Sequence, residues 1–128
     1  MQQLADFMQY QNEGLFILRL VMGVIFILHG WPKIKNHKSA AVAMGLPALL
    51  VLGVGLIESL GGLALILGLY TQIAAILIGL VMIGAIKMKT INWKTKFIVM
   101  GAMGWEYDLV LLAAALVILV TGGGNIGL

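Results

Sequence analysis

Glu58 is the one charged residue in the 48 positions from Ser39 to Ile86, a stretch that is otherwise mostly apolar. A carboxylate in hydrocarbon is costly unless it is paired or protonated, which makes it the first candidate for chemistry. At 100° per residue, Gly55, Glu58, Ser59 and Gly62 share one helical face, so the acid points toward a close-packed neighbour. The same spacing aligns Arg19, Gly23, Phe26 and Gly30 in the first apolar run and turns the guanidinium inward as well. In antiparallel helices the Cα atoms of Arg19 and Glu58 differ in depth by roughly 8 Å, most of which a long arginine side chain can bridge. The expectation is therefore a buried, hydrogen-bonded Arg19–Glu58 ion pair, either part of a site or a device that fixes helix register.

A second constellation gathers His29, near the end of the first run, with Glu106 and Asp108 at the start of the last one. An imidazole beside a carboxylate can exchange protons near neutral pH. Acids in a first helical turn also complement the helix dipole with no further role. Glu106 and Asp108 lie 200° apart on a helix, so only one faces any single site; Glu106 shares its face with Ala113, and Asp108 shares its face with Ala115. No metal centre is expected: His29 and His37 fall on different elements either side of Pro32, and there is no cysteine for thiolate or iron–sulfur ligation. The eight methionines are scattered through apolar runs as packing residues. Gly122 to Gly124 has no lysine or helix after it to make a phosphate loop, and TGGGNIGL reads as a flexible tail.

The elements that must hold these groups are membrane helices. Hydrophobic residues make up 62%, charged residues 10%, and the mean hydropathy is +1.08. The 128 residues have room for one all-α domain, a four-helix transmembrane bundle with short loops. The spans are expected at about 14–31, 47–68, 71–86 and 105–121, the first ending at Pro32 and the second and third joined by the tight turn GLYTQ. The run FIVMGAMG at 97–104 is too short to cross and should lie at the interface or fold back. Ala64 with Gly68 and Ala75 with Gly79 extend the small-residue seams. A net charge of +3 comes from lysines clustered in two loops, a membrane-topology pattern and not a nucleic-acid one. All seven lysines fall on one side, predicting a multi-pass cell-membrane protein with cytoplasmic lysine loops and both termini outside. The polar, slightly acidic start MQQLADFMQYQNEG argues that the first apolar run is not cleaved.

Three phrases carry a resemblance: LRLVMGVIFILHGWPKI at Leu18–Ile34, GLIESLGGLALILGLYTQIAAILIGLVMIGAI at Gly55–Ile86, and GWEYDLVLLAAALVILVTGGGNIG at Gly104–Gly127. In order and spacing they resemble the DoxX family. The resemblance implies a four-helix membrane bundle and marks Arg19, Gly23, Gly30, Lys33, Glu58, Gly61, Gly62, Gly68, Gly104 and Glu106 as recurrent positions. It also implies association with quinone-linked or oxidative-stress redox assemblies. A bundle slot around Arg19 and Glu58 would then hold a quinone, while partner redox subunits supply the electrons; homo-oligomers are compatible with the same reading. The chain's C-terminal segment lacks the acidic ending seen in many members. Two other functions fit the same residues: a non-enzymatic membrane scaffold, and a small proton-coupled transporter, the latter disfavoured by the strong lysine asymmetry.

Overall fold

The computed structural model describes residues 2–128, and Met1, the first residue of the opening segment read above as uncleaved, lies outside it. Six α-helices follow one another: α1 (Gln2–Ala5), α2 (Gln11–Lys35), α3 (His37–Met44), α4 (Ala48–Leu67), α5 (Thr71–Lys87) and α6 (Trp105–Thr121), and no strand occurs among the described residues. A 3₁₀ turn (Asp6–Tyr10) leads into α2, and a π-helical turn (Met88–Asn92) extends α5. Three segments, Asp6–Lys35, Ala48–Leu67 and Thr71–Asn92, are long and apolar enough to cross a membrane. The apolar α6 has 17 residues, about 25 Å of helix.

Local chemistry sets the boundaries. Gly68 ends α4 in the left-handed region (φ 76°), its amide donating to the Ala64 carbonyl at 2.9 Å, and Pro47 starts that helix from extended backbone. Pro32 does not end the first span. Proline removes one amide donor but leaves its carbonyl usable, and Asn36 N–H donates to Pro32 O at 2.8 Å, so α2 runs on through Lys35. The lysine segments expected as short loops are therefore largely helical, and Lys33, Lys35, Lys38 and Lys89 sit on helical turns. In the 97–104 segment Ile98 and Met100 are exposed, and the backbone at its start caps α6: Glu106 N–H donates to Phe97 O at 3.2 Å and Trp105 N–H to O of the preceding Lys96 at 3.3 Å.

Two antiparallel pairs make the body. Along α2 and α4, Gly23 lies against Gly62 and Gly30 against Gly55; a Cβ on Gly62 would come within 2.6 Å of the Gly23 carbonyl, and one on Gly55 within 2.9 Å of the Gly30 carbonyl. The backbones can approach that closely only because those side chains are missing. α6 follows α5 along its whole length. Thr71 Oγ1 donates to Gly122 O (2.7 Å) and Gln72 Nε2 to Leu119 O (2.8 Å) at one end, and Lys89 meets Asp108 at the other. Met22, Phe26, Leu65, Ile78, Leu111 and Ile118 form the core between the pairs.

Candidate functional site

The expected Arg19–Glu58 pair is not formed, because each side chain turns toward a different end of the molecule. Arg19, 1% exposed, donates through Nη2 to the Ile126 carbonyl and lies 5.5 Å from the centre of the Phe16 ring. The segment after α6 is folded across this end, contrary to its reading as a flexible tail. Leu128 N–H donates to Leu67 O at 2.9 Å and Asn125 N–H to Asn12 Oδ1 at 3.0 Å. Its glycines are required there: Gly123 has φ +82° and lies where a Cβ would come 2.9 Å from Arg19 Cδ, and Gly127 packs on Gly68.

Glu58, also 1% exposed, pairs with Lys33 one turn after Gly30 on the α2 face that meets α4. Lys33 is reached because α2 continues beyond Pro32. The lysine side chain is 24% exposed, so the pair has one wet side and one dry one. Close by, His29 Nε2 and the Tyr107 hydroxyl are hydrogen-bonded at 2.8 Å with their rings 5.6 Å apart. A second ion pair joins Lys89 Nζ to Asp108 Oδ2 at 2.8 Å, and the ammonium lies 5.9 Å from the centre of the Tyr107 ring. The Lys89–Asp108 contact is misaligned for a hydrogen bond, which leaves buried Oδ2 with unused acceptor capacity.

All six of these side chains line one cavity of about 640 Å³ between the two helix pairs. Its remaining wall is almost wholly apolar, with Phe26, Val54, Leu80, Met82 and Leu111 among the lining residues. Two ammonium groups face two carboxylates, so the fixed charge of the polar cluster is balanced. Such a chamber suits a neutral amphipathic molecule: its apolar walls accept hydrocarbon, and its hydroxyl, imidazole and ammonium groups can donate to a carbonyl or hydroxyl head. His29 and Lys33 also line a shallower pocket of about 520 Å³ bordered by Asn36 and Ser39. Together with Met44, which lines both spaces, these two residues separate the chamber from the lysine face.

The sequence candidates divide between the two ends. Glu58 and His29 line the chamber; Arg19 and Gly68 belong to the covered end; Gly23, Gly30, Gly55, Ser59 and Gly62 make the α2–α4 contact. Gly79 is less crowded, since a Cβ there would meet Leu112 at an ordinary 3.8 Å. Of the two acids at the start of α6, Asp108 is buried beside Lys89, on the face of buried Ala115, and Glu106 is only partly covered and does not line the chamber. Lys89 and Tyr107 of the chamber lie outside the candidates that the sequence marks. Met82, Ala85 and Lys89 are spaced i, i+3, i+7, which would have placed Lys89 inward had α5 been continued past Ile86.

A family model described as DoxX matches residues 14–99. CatD of Bacillus subtilis, provisionally named an oxidoreductase, is 33% identical over 112 residues, 85% of this chain and 79% of CatD. An uncharacterised protein of Haemophilus influenzae is 33% identical over 120 residues, covering 91% of this chain and 88% of its own. The inner membrane protein YqjF of Escherichia coli is 33% identical over 69 residues, about half of each chain (52% and 53%). No solved structure matches significantly.

Proposed function

Because the chain belongs to the DoxX family of membrane proteins, we propose that it is a four-span membrane subunit holding a quinone head in the chamber at its lysine end, with electrons supplied by a separate redox protein. The observation that carries this reading is the convergence of three polar pairs, Lys33–Glu58, Lys89–Asp108 and His29–Tyr107, at one end of an otherwise apolar chamber of about 640 Å³. A quinone head is neutral and accepts hydrogen bonds, which matches a charge-balanced set rich in donors. A bound quinone supplies two-electron, two-proton chemistry. Tyr107, His29 and Lys33 bind and orient the head, the apolar walls keep bulk water out, and His29, bordering the outer pocket, can exchange a proton with the lysine face. The provisional oxidoreductase name of CatD points to the same class of chemistry.

The fourth crossing is α6. It is short for a span but lies antiparallel to α5 with contacts at both ends, so whatever depth α5 reaches, α6 reaches also. The whole chain then forms one transmembrane domain, with the lysine end in the cytoplasm and both termini on the opposite side. In the test, protein is purified in native lipid and its lipid extract is examined by mass spectrometry. A quinone retained by the unmodified protein and lost from Glu58→Gln and Tyr107→Phe supports the proposal. Extracts without quinone, together with no binding of added benzoquinone, overturn it in favour of a scaffold.

A further inference from the structure

The helices α4 and α5 are joined at Gly68–Tyr70, and both line the chamber on the way to the lysine end. About two helical turns from that connection they touch: a Cβ on Gly61 would lie 3.0 Å from Ile78 Cδ1. Farther along, Leu50 of α4 and Leu80 of α5 line the chamber and are also exposed at the molecular surface, by 50% and 61%. A residue that borders an interior space and the exterior together marks an opening. Gly84 lies on the same rim, exposed, and a Cβ there would meet nothing within 4 Å. Every one of these rim positions is apolar or glycine, and Leu50 and Leu80 fall inside segments long and apolar enough to cross a membrane. The slot therefore faces acyl chains, where a polar or water-borne molecule would have to shed its hydration to pass.

We infer that this slot between α4 and α5 is a lateral portal through which a membrane-dissolved amphiphile enters, its neutral head reaching the His29–Tyr107 and lysine–carboxylate pairs and its long apolar tail left lying between the two helices toward the bilayer. The inference rests on the reading of the chamber as a head-group site, and it specifies the ligand class: a tailed lipid from the lysine-side leaflet, not a small soluble quinone. The portal has a floor at Gly61–Ile78, so the tail leaves sideways and does not run along the bundle axis.

The test uses the full chain in phosphatidylcholine vesicles and three probes: a benzoquinone bearing a diazirine-labelled decyl tail, a fatty alcohol with the same labelled tail, and the tail-less benzoquinone. The tailed probes are expected to photolabel α4 near Leu50 and α5 near Leu80. Gly84→Phe, which plugs the rim, should lower that labelling by about tenfold or more, since its ring would occupy the space the tail must take. Gly53→Phe is the control, since its Cβ also points into open space but Gly53 does not line the chamber. Gly84→Leu gives a smaller plug should the phenylalanine variant melt early. Labelling of the slot by the alcohol but not by the quinone upholds the portal and removes the quinone. Binding of the tail-less quinone as tightly as the tailed one, indifferent to Gly84→Phe, overturns the portal and leaves the quinone reading standing. Tailed probes that label neither helix overturn the portal.

Discussion

The two ends of this bundle each hold a cation against the helix core, and they do it in opposite ways. Arg19 is covered by the chain's own backbone: the Ile126 carbonyl accepts from it, Gly123 and Gly68 press against it, and the segment after α6 closes over the top. Lys33 is instead set against Glu58 on the wall of a chamber, partly wet, with a hydrogen-bonded His29–Tyr107 pair and a second ion pair alongside. The guanidinium suits the first role, because its donors sit in a rigid planar fork from which a fixed backbone carbonyl can accept. The ammonium, a compact charge on a flexible stem, suits a site that must accept a visitor. A buried charge in a membrane sequence is therefore not enough to mark a site. The space beside it decides.

The sharpest way to break this contrast is to remove each cation. Lys33→Met leaves the Glu58 carboxylate buried without a partner and should cost about 3–5 kcal/mol in detergent melts, with loss of quinone binding. The double variant Lys33→Met/Glu58→Leu should recover most of that stability, because an apolar pair can replace a buried ion pair, yet should not recover binding. Recovery of both would show that the pair serves only the fold. Arg19→Met should cost less, about 1–3 kcal/mol for the orphaned carbonyl and lost contacts. Its signature is spatial: amide exchange should speed up at Asn125 and Leu128, whose N–H groups are bonded to Asn12 and Leu67, while binding at the lysine end stays unchanged. Weakened binding in Arg19→Met would mean that the ends communicate and the division drawn here is wrong.

How much of this was legible beforehand follows the same division. Helix existence was readable because apolar runs and glycine spacing are local signals: α6 spans the residues expected of it, Trp105–Thr121, and α4 and α5 lie within one residue of theirs. The Glu58 face was readable from Gly55, Ser59 and Gly62. The partner of Glu58 was not, since that depended on α2 continuing through Pro32, where proline statistics favour an end and the tertiary contact to α4 prevails. Asp108 over Glu106 was undecidable from angles alone, as either face carries alanines; the inward one is fixed by Lys89, which reaches α6 only because the π-helical turn prolongs α5. The folded-down tail was hidden for another reason. A glycine-rich string looks mobile by composition, whereas here the glycines supply the positive φ angles and close approach that let the chain lie flat over Arg19.

The mildest change sharpens the comparison most. Tyr107→Phe keeps the ring that packs beside Lys89 and removes only the hydroxyl bonded to His29 at 2.8 Å. Because His29 borders the outer pocket and can turn to water, the loss of stability should be about 0.5–1.5 kcal/mol, the net worth of one hydrogen bond. If the pair merely ties α2 to α6, that small fall in melting temperature is the whole effect, and Tyr107→Phe behaves like the removal of any hydrogen bond. If the hydroxyl is a donor to the bound head, quinone affinity falls by about tenfold as well, as for one neutral hydrogen bond lost in a dry site. His29→Gln then separates the roles further. It retains a hydrogen-bonding partner for Tyr107, so both the melting temperature and quinone affinity should stay near those of the unmodified protein, whereas a fall in affinity as large as that of Tyr107→Phe would make the imidazole itself a contact of the bound head.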